Sequence, residues 1–266
     1  MKTFMKLTAT ALAGTVIIAS AGCADSGSPV VQSSDTESET VTTETTVEED
    51  DVISVGDHIL FGNYPQNNGT DPEPIEWRVL EIKDGKALVI SEYLLEPKAY
   101  YFELADVTWE NSSLRKWLNG DFYDKAFSDS EKGLIQTVTI ENQDNPLYGT
   151  PGGNDTEDKM FCLSLEEVQI YFADANDRMA ALTDYALSRG ASVCEDKTLD
   201  NGMKTGWWWL RTPASSANRA AEVDCYGNID TVINADRVDG CLVFSEGICV
   251  RPVVWIVLSD DIIESR

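Results

Sequence analysis

The sequence predicts one α+β domain behind a non-globular N-terminus. Runs rich in β-branched and aromatic residues crowd the two ends of residues 52–266. Helical spacing is confined to the stretch between them, and neither βαβ alternation nor an internal repeat occurs. That length suits a single sizeable domain.

The elements follow in order. Lys2 and Lys6 precede an uncharged stretch, residues 7–19, which ends in Ser20, Ala21, Gly22 and Cys23. A basic start, a short apolar core and a small-residue cleavage site make a secretory signal; a membrane span needs about 20 apolar residues. A Cys directly after Ala-Gly resembles the bacterial lipoprotein signal, although Ser20 stands where that signal usually has Leu. The resemblance implies that Cys23 becomes the lipid-bearing (palmitate-type) N-terminus, holding the protein on the outer face of the cell membrane; an ordinary secretion signal is the alternative. Residues 24–51 hold nine acidic residues, eleven Ser or Thr, and no Lys, Arg or aromatic. Such a segment has nothing to bury and is expected to form a disordered, charge-extended tether.

The chain carries a formal charge of −26; the leader contributes +2 and the tether −9, leaving −19 on residues 52–266. That balance excludes nucleic acid and adhesion to anionic lipid, both of which need clustered Lys and Arg. Five Cys remain besides Cys23: Cys162, Cys194, Cys225, Cys241 and Cys249. The number is odd, no CxxC pair occurs and His58 is the lone His, so zinc is not expected and the thiols read as buried and reduced.

Residues 57–62 read as a strand and residues 67–74 as a loop. Residues 75–82 and 87–93 flank Lys83-Asp84-Gly85-Lys86, the signature of a tight hairpin, and alternation of Ile75, Trp77 and Val79 with Glu76 and Arg78 predicts one buried face. Asn111, Ser112 or Ser113 caps a helix carrying Leu114, Trp117 and Leu118, which Gly120 is expected to stop. Ser128 with Glu131 and Ser164 with Glu167 spell two capping boxes; the second opens a helix whose inner side is Val168, Tyr171 and Phe172. Residues 136–141 read as a strand, and 142–158 as a long exposed loop. A helix from Thr183 ends at Gly190. The last third returns to β: a strand over 207–213, a hairpin of 221–225 with 229–233, and another of 241–244 with 248–258.

Five of these segments recur together in a known pattern. Residues 61–66 (FGNYPQ), 75–78 (IEWR), 109–119 (WENSSLRKWLN), 208–213 (WWLRTP) and 250–256 (VRPVVWI) resemble an uncharacterised family of exported Gram-positive bacterial proteins, over roughly residues 54–258. That family implies no activity. More remotely, Trp209, Arg211 and Arg251 resemble the C-terminal strands of the C-type-lectin-like fold, as found in formylglycine-generating enzymes. The resemblance implies a single C-type-lectin-like domain, a scaffold used for ligand binding as well as catalysis. The enzymes' catalytic Cys pair is not matched, because the motif around Cys241 and Cys249 is absent.

The candidate binding residues are Trp207, Trp208, Trp209, Arg211 and Arg251. Three consecutive indoles in a strand alternate faces; they either fill the core or expose an aromatic platform for sugar or peptide. Arg211 and Arg251 either form a fork for an anionic ligand or sit in buried bridges, with Glu76, Glu110 or Asp224 as partners. Asp196 and Asp200, closed by Gly202, resemble part of a calcium loop whose final Glu is missing, so calcium is a weak expectation and no other cofactor is expected. His58 lies next to Asp57 without a nucleophile motif and is read as incidental. The expected role is non-enzymatic binding of a surface protein, peptide or glycan where the 207–211 strand meets Arg251 and the 142–158 loop. An extracytoplasmic enzyme, hydrolase or thiol oxidase, and a purely structural surface protein are the alternatives.

Overall fold

A computed structural model describes residues 52–67, 71–229, 240–259 and 262. The leader, the tether and the 230–233 arm of one expected hairpin lie outside these residues. The described residues all fall within the unit Val47–Arg266. The architecture is mixed α+β with strands dominating.

The chain opens with β1 (His58–Pro65), β2 (Pro72–Lys83), β3 (Lys86–Ser91) and β4 (Glu96–Pro97). Short helices α1 (Ser113–Trp117), α2 (Tyr123–Ala126) and α3 (Asp129–Lys132) follow. Next come β5 (Val138–Ile140), β6 (Thr156–Asp158) and β7 (Met160–Phe161), then α4 (Leu165–Tyr171), α5 (Ala175–Arg178) and α6 (Asp184–Ser188). Seven strands close the described chain: β8 (Val193–Thr198), β9 (Lys204–Gly206), β10 (Trp208–Pro213), β11 (Arg219–Val223), β12 (Cys241–Leu242), β13 (Cys249–Val250) and β14 (Val253–Val257). One five-stranded sheet has the order β1-β2-β3-β14-β7 and a second the order β12-β11-β10-β13-β4; β5–β6 and β8–β9 are two-stranded ribbons.

The β2–β3 hairpin forms as the Asp-Gly turn requires. Asp84 and Gly85 both take positive φ, 51° and 72°, as in a type I′ turn, and Lys83 faces Lys86. Ser112 caps α1 by accepting from the Arg115 N–H at 3.0 Å, and both expected capping boxes are present. Gly120 does not stop the helix. Leu118–Phe122 passes through a π-type turn into α2, because burying Leu118, Phe122 and Ala126 outweighs the roughly 1 kcal/mol cost of a helical Gly.

The C-terminal hairpin expected around residues 245–247 is absent. β12 pairs with β11, whereas β13 runs parallel to β10, with Trp208 opposite Cys249. The expected strand 248–258 is broken at Arg251-Pro252, since Pro252 has no N–H to continue a ladder; its carbonyl instead accepts from the Ser91 N–H at 3.0 Å. One continuous segment therefore serves both large sheets.

Four indoles are fully buried: Trp77, Trp109, Trp208 and Trp209. Each N–H has an acceptor, namely the carbonyls of Phe61, Arg178 and Lys98 for Trp77, Trp208 and Trp209, and the Asp158 carboxylate for Trp109. Cys194 and Cys225 form a disulfide with Cα atoms 5.8 Å apart, which corrects the expectation of uniformly reduced thiols.

Candidate functional site

The 109–119 motif builds a wall rather than a site. Trp109 Nε1 and Arg115 Nε donate to the buried Asp158 carboxylate at 2.9 and 2.6 Å, and Thr156 Oγ1 donates to it at 2.8 Å. Asn119 Oδ1 accepts from the Lys159 and Met160 N–H groups. The short helical turns of this motif thereby fix β6 and the start of β7. The 142–158 segment is a largely exposed loop as far as Asp155, where β6 takes over, but buried side chains pin it down. Asn142, Asn145 and Thr150 are buried, Asn145 Nδ2 donates to the Pro213 carbonyl at 2.7 Å, and Asp144 accepts from the Gly152 N–H at 3.0 Å. Its polar residues satisfy its own backbone and anchor it to β10, so its lack of periodicity marks a self-bonded loop.

Against this anchored loop lies a cleft. It consists of two adjoining depressions of about 340 and 400 Å³ that share Gln143, Ser164 and Glu166. β5 with Glu141 forms one side and α4 the other. Phe161, Trp255 and Arg211 also line the depression of about 340 Å³. Ile170, two-thirds exposed, and the half-buried Tyr171 add apolar surface. Burial and a hydrogen bond to Glu81 at 2.7 Å raise the Tyr171 phenol above its ordinary range, so it stays protonated.

Arg211 is a positioning element of this cleft, not an open anion fork. Both terminal nitrogens hold the Glu167 carboxylate, NH2 to Oε1 at 2.8 Å, and they also donate to the Cys162 and Glu141 carbonyls at 3.0 and 3.3 Å. Glu167 simultaneously closes the α4 capping box, so one carboxylate ties helix start to strand. A third cavity of about 10 Å³, the size of one water, is lined by Asn142, Arg211 and Ser164 among others. Asn142 Oδ1 and Arg211 Nε are buried without a hydrogen-bond partner among the described residues.

Arg251 is fully buried elsewhere. Its guanidinium lies over the Phe172 and Trp208 rings at 5.3 and 5.2 Å, and Nε donates to the Ser91 carbonyl at 2.9 Å. Burial lowers it to about 10, opposed by Glu92, and it remains charged at neutral pH. Arg211 meets the first turn of α4 and Arg251 the residue after its last turn, roughly 10 Å along the helix. The structure therefore brings Arg211 and the 142–158 loop together but leaves Arg251 out. The partners are Glu167 and Glu92 rather than Glu76, Glu110 or Asp224.

Trp208 and Trp209 are core and Trp207 is half-buried, so they form no aromatic platform. Asp196 Oδ1 accepts from the Tyr226 hydroxyl at 2.8 Å, while Asp200 sits in the turn between β8 and β9. Among the described residues no group of three or more His, Cys, Asp or Glu is placed to hold a metal. His58 Nδ1 lies 2.6 Å from Glu76 at the surface. Cys241 and Cys249 lie on β12 and β13, separated by β11 and β10 and hence roughly 14 Å apart. Burial, reinforced by Glu96, raises the Cys249 thiol, the opposite of what a reactive cysteine needs. Sequence reasoning missed Ile170 and Trp255. The available signal was that Ile170 falls off the Leu165–Val168–Phe172 stripe, an apolar side chain where a polar one is expected.

The fold and cleft define a two-sheet α+β domain with a polar-rimmed, apolar-floored groove. The chain belongs to the family described as Domain of unknown function (DUF6273), whose model matches residues 84–258 and so takes in the whole cleft. No curated protein matches the chain, and no solved structure matches it. No helix among the described residues is long and apolar enough to cross a membrane.

Proposed function

We propose that this protein is a lipoprotein held on the outer face of a bacterial cell membrane through lipid on Cys23, and that its domain binds a surface protein, peptide or glycan without catalysing a reaction. The cleft between β5 and α4 carries the reading: its floor includes exposed apolar side chains, its rim is polar, and its one guanidinium is already neutralised. The Cys194–Cys225 disulfide suits an oxidising exterior. A C-type-lectin-like scaffold is part of the proposal, supported by the strand bearing Trp209 and Arg211 lying beside the strand that leads into Arg251.

Ile170→Glu should abolish retention on peptide or glycan arrays while leaving the circular dichroism spectrum unchanged; retention equal to wild type would sink the cleft assignment. Labelled palmitate should enter the wild-type protein and not Cys23→Ser, and an unlabelled full-length precursor in the cytosol would overturn the anchor.

A further inference from the structure

Resting on the cleft reading above, we propose that the ligand is an extended, Lys- or Arg-bearing polypeptide that adds as a third strand to the outer edge of β5. β5 pairs only with β6, so alternate backbone N–H and C=O groups of residues 138–140 face away from their partner. None of these groups has another backbone partner among the described residues. The opposite edge of the ribbon is occupied, because Arg115 NH2 donates to the Glu157 carbonyl at 3.2 Å. The long first strand is also blunted, its Gly62 N–H being taken by Glu131 Oε1 at 2.9 Å. The β5 edge opens onto the cleft, where a docked strand would find Ile170, Tyr171 and Trp255 for alternate apolar side chains.

Charge selects the partner. With Arg211 paired to Glu167, the two depressions retain the carboxylates of Glu141, Asp144 and Glu166, and no Lys lines them. A cationic strand is attracted to that rim and an acidic one is repelled. The acidic tether of this same chain is thereby disfavoured as occupant.

The test uses the full chain in detergent and a fluorescent ten-residue peptide of alternating Lys and Val, read by anisotropy. Alternate backbone N-methylation should weaken binding about tenfold or more by removing strand hydrogen bonds. The double variant Glu141→Lys and Glu166→Lys should weaken the Lys–Val peptide and favour a Glu–Val peptide. Absence of Lys–Val binding, or equal binding of the N-methylated form, overturns strand addition. If in that case a glycan or a folded protein is retained and Ile170→Glu releases it, the cleft remains the site and only the ligand class is wrong. If Ile170→Glu alters retention of no probe, the cleft reading falls as well.

Discussion

Asp158 is the residue on which the middle of the domain turns. It is a fully buried carboxylate with three donors, one of them the Arg115 guanidinium. Asp158→Ala strands that cation beside a buried cavity and should cost about 3–5 kcal/mol in urea unfolding; a loss below 1 kcal/mol would mean that water replaces the carboxylate. Trp208→Ala should cost a similar 3–5 kcal/mol through cavity formation, so any lost binding in that variant reports on folding. Ile170→Glu, at an exposed position, should shift stability by no more than about 0.5 kcal/mol. The Cys162 thiol is pushed up to about 12, chiefly by burial and against the pull of Arg211. Folding therefore retains its proton: that stability is fully present below pH 9 and is lost as pH rises toward 12, which urea midpoints at pH 8 and pH 11 would reveal. A Cys162→Ala protein should show a smaller alkaline loss, the remainder coming from Cys249 and the buried tyrosines, which burial also raises.

At the scale of elements, the disulfide joins β8 to the segment just after β11, across 31 residues. Cys194→Ser with Cys225→Ser should lower stability by about 3 kcal/mol on loop-entropy grounds, seen as a lower melting temperature that dithiothreitol no longer shifts. Local signals in the sequence were legible wherever a short-range rule determines the geometry. The Asp84-Gly85 turn, the Ser128 and Ser164 caps and the buried face of β2 all depend on neighbours within a few residues. Gly120 was misread because burial of Leu118 and Phe122 overrides a local preference. The C-terminal pairing was illegible because β13 is so short that its partners are decided by sheet packing rather than by a turn. The cleft was legible in part. Arg211 and the 142–158 loop could be flagged as a pair, but the Arg211–Glu167 bridge joins residues 44 apart, and no pattern in the chain ranks Glu167 above the other carboxylates.

Across the whole molecule the dominant quantity is charge. A domain carrying −19 repels itself, so its unfolding midpoint should rise when ionic strength goes from about 10 mM to about 150 mM, as the screening length shrinks from about 30 to 8 Å. A midpoint that stays constant or falls would show that local ion pairs, such as Arg78 with Glu92 and Asp177, outweigh the global repulsion.

The Arg251-Pro252 junction carries a consequence for how the domain comes apart. Because a single stretch of backbone laces both large sheets, tearing one open loosens the hem of the other. Amide exchange at Val250 and Val254 should then report a common opening free energy, and force applied across the two sheets should yield one rupture event instead of two.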